Sequence, residues 1–175
     1  MENKIIVLAY VGTGKAEMAK RYERIWNPSS DDYRYVWDKE MPSEKRKGDP
    51  SRTENPEFPN NFINAIFEKL ADNIILLSLT ENLFHLYDSS QFRDKMKEAR
   101  IILACPGRNA FNDYIKRYRV RGNSERFIEN RQKEFPCIMD KFENAEGYEK
   151  VVVDEYLDDA LIKHGVKLFE KNREA

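Results

Sequence analysis

A glycine-rich segment directly follows the first apolar run of the chain, and it constrains the fold more than any other feature. Lys4 to Leu8 is mostly apolar and β-branched without alternation, which is typical of a strand buried on both faces. The next seven residues, Ala9 to Lys15, carry glycine at positions 12 and 14. Glycine adopts backbone angles that other residues disfavour, so a tight turn from a buried strand into a helix is expected here. That helix should begin at Gly14 and end near Tyr22 or Glu23.

The same segment is typical of a phosphate-binding turn. With alanine at its first position, it matches a Walker A loop as far as the lysine, and it lies between strand and helix as that motif requires. Backbone N–H groups of such a turn point inward at an anion, and the helix adds its positive N-terminus. We expect a nucleotide site formed by Val11, Gly12, Thr13, Gly14, Lys15 and Ala16. The alternative is a turn that serves packing alone.

Ala16 is the main departure from the motif. A serine or threonine normally follows the lysine, and its hydroxyl coordinates Mg²⁺. Thr13 and Glu17 are nearby oxygen-bearing side chains, but the sequence does not show whether either takes that role. The metal ligands therefore stay unassigned.

Later apolar runs extend the pattern of buried strands. Strands are expected at Ile74 to Leu79, Ile101 to Cys105 and Lys150 to Val153, with helical spacing between them. Alternating strands and helices predict βαβ units and an α/β fold with a mainly parallel sheet. Two further runs, Arg24 to Trp26 and Tyr33 to Trp37, compete for one additional strand.

The remaining segments are read as helices and one long excursion. Residues 27–59 hold five of the seven prolines and many charges, so 27–61 is expected as a surface excursion rather than a packed element. A helix is expected from Phe58 to Leu70, with its apolar stripe on the sheet. The other expected helices are Glu81–Leu86, Ser89–Ala99, a long region from Asn109 to about Ala145 interrupted near 122–124 and at Pro136, and a closing helix with Leu157, Leu161, Ile162 and Leu168.

Composition excludes several classes of protein. The 30 basic and 31 acidic residues balance to a net charge of -1, which gives no general attraction to nucleic acid or membrane. Cys105 and Cys137 lack metal-ligand spacing and are expected as reduced thiols. The apolar run near the start is too short for a signal peptide or membrane span, so a cytoplasmic protein is expected. The 175 residues fit one domain, and oligomeric state is left open.

A second candidate site is the basic stretch from Tyr114 to Arg121. Arg117 and Arg121 are four residues apart, so a helix carries both on one face beside Tyr114 and Tyr118. Planar guanidinium groups match phosphate oxygens, so the two arginines are candidates to clamp phosphates. The alternative is a solvated basic face paired with nearby glutamates such as Glu125 and Glu129.

These features together resemble the P-loop kinase-like superfamily, specifically the nucleoside and deoxynucleoside monophosphate kinases and their uncharacterised bacterial and phage relatives. The resemblance lies in residues 11–15, in Asn55 to Phe62, and in Tyr114 to Ile128. It implies a three-layer sandwich with a helical lid at about 109–128 and an acceptor site on the excursion at 27–61. It also implies ATP with Mg²⁺ at the glycine turn, and catalytic roles for Lys15, Arg117 and Arg121.

One departure from the family concerns acidic residues. Such kinases carry an acidic or Asp-Arg element near the ends of the second or third strand, where this chain has Trp26-Asn27-Pro28 and Ser78-Leu79-Thr80-Glu81. The remaining candidates for metal positioning are Asp31, Asp32, Asp38 and Glu81. Two functions therefore stay open: a nucleotide kinase, and a nucleotide sensor that has lost catalysis.

Overall fold

The computed structural model describes residues 4–37, 41–46 and 49–172. Strands and helices alternate along most of this part of the chain. The strands are β1 (Ile5–Tyr10), β2 (Ile25–Trp26), β3 (Tyr35–Val36), β4 (Thr53–Glu54), β5 (Ile74–Leu79), β6 (Arg100–Pro106) and β7 (Glu149–Val153). The helices are α1 (Lys15–Arg21), α2 (Asp31–Arg34), α3 (Ser43–Arg46), α4 (Asn60–Lys69), α5 (Glu81–Tyr87), α6 (Ser90–Lys95), α7 (Phe111–Val120), α8 (Glu125–Asn144) and α9 (Leu157–Lys163).

Five strands form one parallel sheet in the spatial order β2-β5-β1-β6-β7. The expected central parallel sheet is therefore confirmed. Counted within this sheet alone, the order is 2-3-1-4-5, which differs from the Rossmann order 3-2-1-4-5-6 and the flavodoxin order 2-1-3-4-5. β1 lies in the middle, and all six of its residues are buried, which explains its apolar, non-alternating sequence.

Helices cover both faces of the sheet, as a three-layer α/β sandwich requires. The odd-numbered side chains of β1 pack with α1 and α9, and the even-numbered ones pack with α4, α5, α6, α7 and α8. From β1 the chain continues to β2 at one edge of the sheet, whereas from β6 it continues to β7 at the opposite edge. The order in which the strands are connected therefore reverses next to β1. Ligands of open α/β sheets bind at the carboxyl ends of the strands at such a reversal. The glycine turn occupies this position.

The excursion at 27–61 contains more secondary structure than expected. It holds α2, α3 and an antiparallel pair formed by β3 and β4. None of the described residues of this segment is buried, so it lies at the surface as expected, although it carries short helices and strands. Both competing strands form because they join different sheets: β2 pairs with β5, whereas β3 pairs with β4.

Two expectations for the long helical region have different outcomes. The predicted interruption near 122–124 is confirmed: α7 ends before it, and α8 begins after a cap at Ser124, whose Oγ accepts a hydrogen bond of 3.1 Å from the N–H of Phe127. The predicted interruption at Pro136 is wrong, since α8 continues through it. Proline removes one intrahelical hydrogen bond. The apolar face around it compensates, because Phe135, Ile138 and Met139 are all buried in the core.

The closing helix is shorter than its apolar pattern suggests. α9 ends at Lys163, so Leu168 lies beyond it. Leu157 and Leu161 are fully buried, but Ile162 is 49% exposed and does not belong to the core stripe. Helical spacing alone does not decide between adjacent apolar residues at the edge of such a stripe.

Both cysteines are free thiols, as expected: Cys105 is buried in the core and Cys137 is half-buried on α8. In the part of the chain that the structure describes, none of the helices has the combination of length and apolar character needed to cross a membrane. The core instead lies on the two faces of the sheet.

The β6–β7 edge contains an acid-sensitive contact. Glu149 accepts hydrogen bonds from Arg100 at 2.9 and 2.7 Å and lies 3.0 Å from His164 Nε2. The hydrogen bonds from Arg100 are the main cause that lowers the pKa of Glu149 to about 2. A carboxyl group whose pKa is lower in the folded state stabilises the protein above its unfolded pKa and loses that effect as the pH falls.

We expect Glu149→Gln to destabilise the protein at pH 7, with a difference from the wild type that shrinks between about pH 4.5 and pH 2. Urea unfolding of both proteins across this range measures the difference. Glu57→Gln is the matched control, because Glu57 is exposed and its side chain has no ion pair with any described residue. A difference that does not change with pH would contradict the assignment.

Candidate functional site

The glycine turn joins the buried end of β1 to α1. Gly12 and Gly14 have positive φ angles of 90° and 110°, which residues with a Cβ rarely adopt. The backbone conformation of the turn therefore requires glycine at both positions. The first hydrogen bond of α1 runs from the N–H of Met18 to the carbonyl of Gly14. The N–H groups of the preceding first turn, Lys15 to Glu17, therefore have no acceptor within the helix. Free amides at the start of a helix favour an anion.

Hydrogen bonds within the turn and one from the first residue of α9 fix the backbone of the turn. The hydroxyl of Thr13 donates to the carbonyl of Tyr10 at 2.9 Å, and the side chain of Thr13 is fully buried. The carbonyl of Thr13 accepts a hydrogen bond of 3.0 Å from the N–H of Leu157. These contacts use the inner polar atoms of the turn, and the first amides of α1 have no partner among the described residues.

Lys15 lies at the base of the turn and is 9% exposed. Its Nζ donates to the carbonyl of Ala9 at 3.3 Å. Burial, and secondarily the positive charge of Arg121, lower the pKa of Lys15 to about 8. A buried ammonium group with one carbonyl partner is poorly solvated, and an anion at the turn would supply the missing negative charge.

Helix α7 packs directly on the turn. Arg117 donates to the carbonyl of Gly12 at 3.1 Å and to the carbonyl of Glu155 at 2.5 Å. Its guanidinium lies between the rings of Tyr114 and Tyr156, at 4.6 and 5.0 Å from their centroids. The predicted lid arginine therefore reaches the glycine turn across 105 residues of sequence.

Arg121 has a different environment from Arg117, although the two are four residues apart. It follows α7 as its C-terminal cap and is exposed. Its side chain makes no hydrogen bond or ion pair with the residues that the structure describes. Its charge nevertheless acts on Lys15. The two arginines thus lie near the turn, with Arg117 bound to it and Arg121 available to a ligand.

Among the described residues, the magnesium ligands that the sequence offers as candidates do not converge on the turn. Ala16 has no oxygen, the hydroxyl of Thr13 is committed to Tyr10, and Glu17 pairs with Lys20 at the surface. Glu81 starts α5 and accepts a hydrogen bond from the thiol of Cys137. Asp32 pairs with Arg46, Asp31 is exposed, and Asp38 lies outside the described residues. The protein side chains therefore do not fit the usual hydroxyl-bound Mg²⁺ of this motif.

Aromatic residues of the excursion fall into two groups. Tyr33 packs against Trp26 and Phe62, with ring centroids 6.5 and 5.1 Å away, and joins the core. Tyr35 and Trp37 instead face arginines: Arg52 lies 4.3 Å from the ring of Tyr35, and Arg46 lies 5.1 Å from the ring of Trp37. Tyr33 is thus part of the core packing, whereas Tyr35 and Trp37 form an aromatic surface flanked by arginines.

The sequence placed Tyr114 and Tyr118 beside the arginines, but it did not predict that these tyrosines join α7 to the turn. The hydroxyl of Tyr118 donates to the carbonyl of Val11 at 2.7 Å, and its ring lies against Gly12. Tyr10, the last residue of β1, packs edge-on against Tyr114 with ring centroids 5.9 Å apart. The spacing of Tyr114 and Tyr118 beside Arg117 was the available signal, because it places the three side chains around one side of a helix.

No protein-family model matches the sequence, and no curated protein matches it significantly. The mixed α/β fold with its five-stranded parallel sheet is compatible with a P-loop protein.

Proposed function

We propose that this protein is a cytoplasmic nucleotide-binding protein that seats the phosphates of ATP on the glycine turn and transfers the terminal phosphate to a nucleoside or deoxynucleoside monophosphate. The observation that carries the proposal is a convergence of donors at the carboxyl end of β1. Unbound amides at the start of α1, the buried ammonium of Lys15 and the guanidinium groups of Arg117 and Arg121 meet there. Such a set of positive groups fits a polyphosphate.

Each group has a distinct part in this proposal. The amides of the turn bind phosphate oxygens, and Lys15 exchanges the carbonyl of Ala9 for the outer phosphates. Arg117 exchanges one backbone carbonyl for a phosphate oxygen, and the exposed Arg121 approaches the transferring group from solvent. Positive charge held around that group lowers the barrier to transfer by electrostatic stabilisation.

The acceptor nucleotide is assigned to the excursion at 27–61. That segment begins directly after β2, two strands from β1 in the sheet, so it lies at the same carboxyl edge as the glycine turn. The arginine-flanked rings of Tyr35 and Trp37 offer flat faces and positive charge. Magnesium accompanies ATP through the nucleotide's own phosphates, and no protein ligand is assigned to it.

The alternative function is a nucleotide sensor without catalysis. Ala16 favours it because it removes a metal ligand, and the hydrogen bond from Arg117 to the carbonyl of Gly12 favours it because it couples α7 to the turn. A sensor needs only to bind nucleotide and change the position of α7.

A phosphotransfer screen separates the two functions. All common nucleoside and deoxynucleoside monophosphates are incubated with ATP and Mg²⁺, and ADP release is measured. The kinase predicts turnover with at least one acceptor and nucleotide binding that requires the metal. Measurable ATP affinity that ignores Mg²⁺, with no turnover on any acceptor, would establish the sensor instead.

A further inference from the structure

Strand β7 forms an open edge of the main sheet. Over residues 4–37, 41–46 and 49–172, it pairs with β6 on one side and with no strand on the other. Alternate residues of an edge strand point their backbone N–H and C=O groups outward, and proteins usually shorten or cover such an edge. The opposite edge, β2, is only two residues long, whereas β7 has five residues, three of them valine. The free edge of β7 is therefore a template for another strand.

A groove of about 590 Å³ lies beside this edge, between β7 and α9. His164 follows α9 and lies 3.0 Å from Glu149 at the start of β7, so the helix runs back along the strand. Glu149 is also bound by Arg100, which neutralises its charge. The groove therefore has one end at the start of β7, beside the end of α9, and a second end where β7 stops and α9 begins.

The free charges of the groove are separated by sign. Lys150 and Lys163 line the end at the start of β7, and Asp154, Glu155 and Asp159 line the other end. All five residues are exposed. A surface with one basic and one acidic end complements a copy of itself turned by 180°, because each basic end then meets an acidic one.

The side chains of the strand show the same self-complementarity. Lys150, Val152 and Asp154, the first residue after β7, are alternate residues on one face of the sheet, and all three are exposed. Val152 is 52% exposed, whereas Val151 and Val153 on the other face are buried. In an antiparallel pair of two copies with Val152 on the symmetry axis, each Lys150 lies directly opposite the Asp154 of the other copy.

We propose that this protein forms a twofold-symmetric dimer through the edge of β7, which joins the two five-stranded sheets into one continuous sheet. Backbone hydrogen bonds between the two β7 strands, contact between the Val152 side chains and two Lys150–Asp154 ion pairs hold the copies together. The same axis brings Asp159 of one copy toward Lys163 of the other. The inference goes beyond the proposed function and does not depend on it.

The charges of β7 make the association selective. An exposed lysine on an edge strand normally disfavours pairing with other strands, because it has no partner there. A second copy supplies Asp154 at that position, so Lys150 disfavours unrelated strands and favours this chain. The lysine need not leave its present contact, since Nζ donates to the carbonyl of Glu143 at 2.8 Å and has two further protons to donate.

Analytical ultracentrifugation of charge variants tests the dimer. The wild type should show a monomer–dimer equilibrium that weakens as the salt concentration rises. Lys150→Asp and Asp154→Lys each place like charges opposite one another at two symmetric positions, so each should raise the dissociation constant at least about tenfold. Combining the two substitutions restores opposite charges at both positions and should return the dissociation constant to within about threefold of the wild-type value.

Lys69→Asp is the control for the charge change. Lys69 is exposed at the end of α4, whose Phe62 packs against Tyr33, a residue of the segment after β2 at the opposite edge of the sheet. This variant should associate like the wild type. A wild type that stays monomeric at every soluble concentration overturns the proposal. A dimer with the same dissociation constant in both single charge variants also overturns it, since another surface would then hold the copies together.

Disulfide cross-linking tests the register of the two strands. In Val152→Cys the introduced thiols lie opposite one another, within the Cα separation that a disulfide requires, so oxidation by diamide should give a covalent dimer. Ile162→Cys is the matched control, because Ile162 is 49% exposed but does not line the groove. Both variants also carry Cys137→Ser, which removes the half-buried native thiol. Equal cross-linking at the two positions, or none at position 152, overturns the proposal.

Discussion

Lys15→Met is expected to abolish the thermal stabilisation of this protein by ATP while leaving the nucleotide-free protein at least as stable as the wild type. A ligand present at 100 times its dissociation constant stabilises the folded state by about 2.7 kcal/mol, which corresponds to roughly 5–10 °C for a chain of this size. Methionine fills the space of the lysine stem but has no charge to offer a phosphate. The expected shift in the variant is therefore close to zero.

The stability of the nucleotide-free protein gives an independent measure of the same side chain. The pKa of Lys15 is lowered to about 8, so between pH 8 and the ordinary lysine value the unfolded chain binds more protons than the folded one. Stability then rises with pH in this window, by at most about 1.4 kcal/mol per pH unit. Lys15→Met should lack this rise, which urea unfolding between pH 7 and pH 10 measures.

Lys20→Met is the matched control for both measurements. Lys20 lies on the same helix but is exposed, and it pairs with Glu17 at 3.2 Å. Its removal should preserve both the ATP-dependent shift and the pH dependence. An ATP-dependent shift of wild-type size in Lys15→Met would show that the ammonium group does not bind the phosphates. The proposed function would then lose its main support.

The sequence predicts the glycine turn itself better than it predicts the strands and helices that surround the turn. The strand, the turn and the start of α1 follow from local features, because an apolar run and two glycines each restrict their own backbone. The parallel sheet follows from repeated apolar runs. Strand order depends on long-range pairing, and nothing in the run of β5 indicates that it lies between β2 and β1.

The features that the sequence did not predict are contacts between segments that lie far apart in the chain. Arg117 was a candidate lid residue, but its bonds to the carbonyls of Gly12 and Glu155 depend on where α7 lies on the sheet. Tyr10 likewise packs against Phe135 of α8, more than 100 residues away, and no spacing rule connects such residues. The pairing of β3 with β4 inside the excursion was not predicted, because each strand is only two residues long and neither joins the main sheet.

Gly12→Ala is expected to destabilise the protein and to disturb the contact between the turn and α7. The φ angle of 90° strains any residue with a Cβ, and the added methyl would meet Cε1 of Tyr118 at 2.8 Å. Tyr118 cannot easily retreat, because it is fully buried and its hydroxyl is bound to the carbonyl of Val11. Backbone strain and overpacking together give about 2–4 kcal/mol, or roughly 10 °C in melting temperature.

Gly165→Ala separates the two causes of that loss. Gly165 has a φ angle of 92°, nearly that of Gly12, but a Cβ there meets nothing within 4 Å. Its substitution therefore measures backbone strain alone, and Gly12→Ala should cost about 1–3 kcal/mol more. Calorimetric melting of both variants gives the difference.

Combining Gly12→Ala with Tyr118→Ala completes the experiment, because the second change removes the ring that the new methyl would strike. The double variant should lose less stability than the sum of the two single variants, since residues in contact are energetically coupled. Strict additivity would mean that α7 does not rest on the turn in solution. In that case Arg117 would approach bound phosphates from an open position, and closure of the lid would follow nucleotide binding.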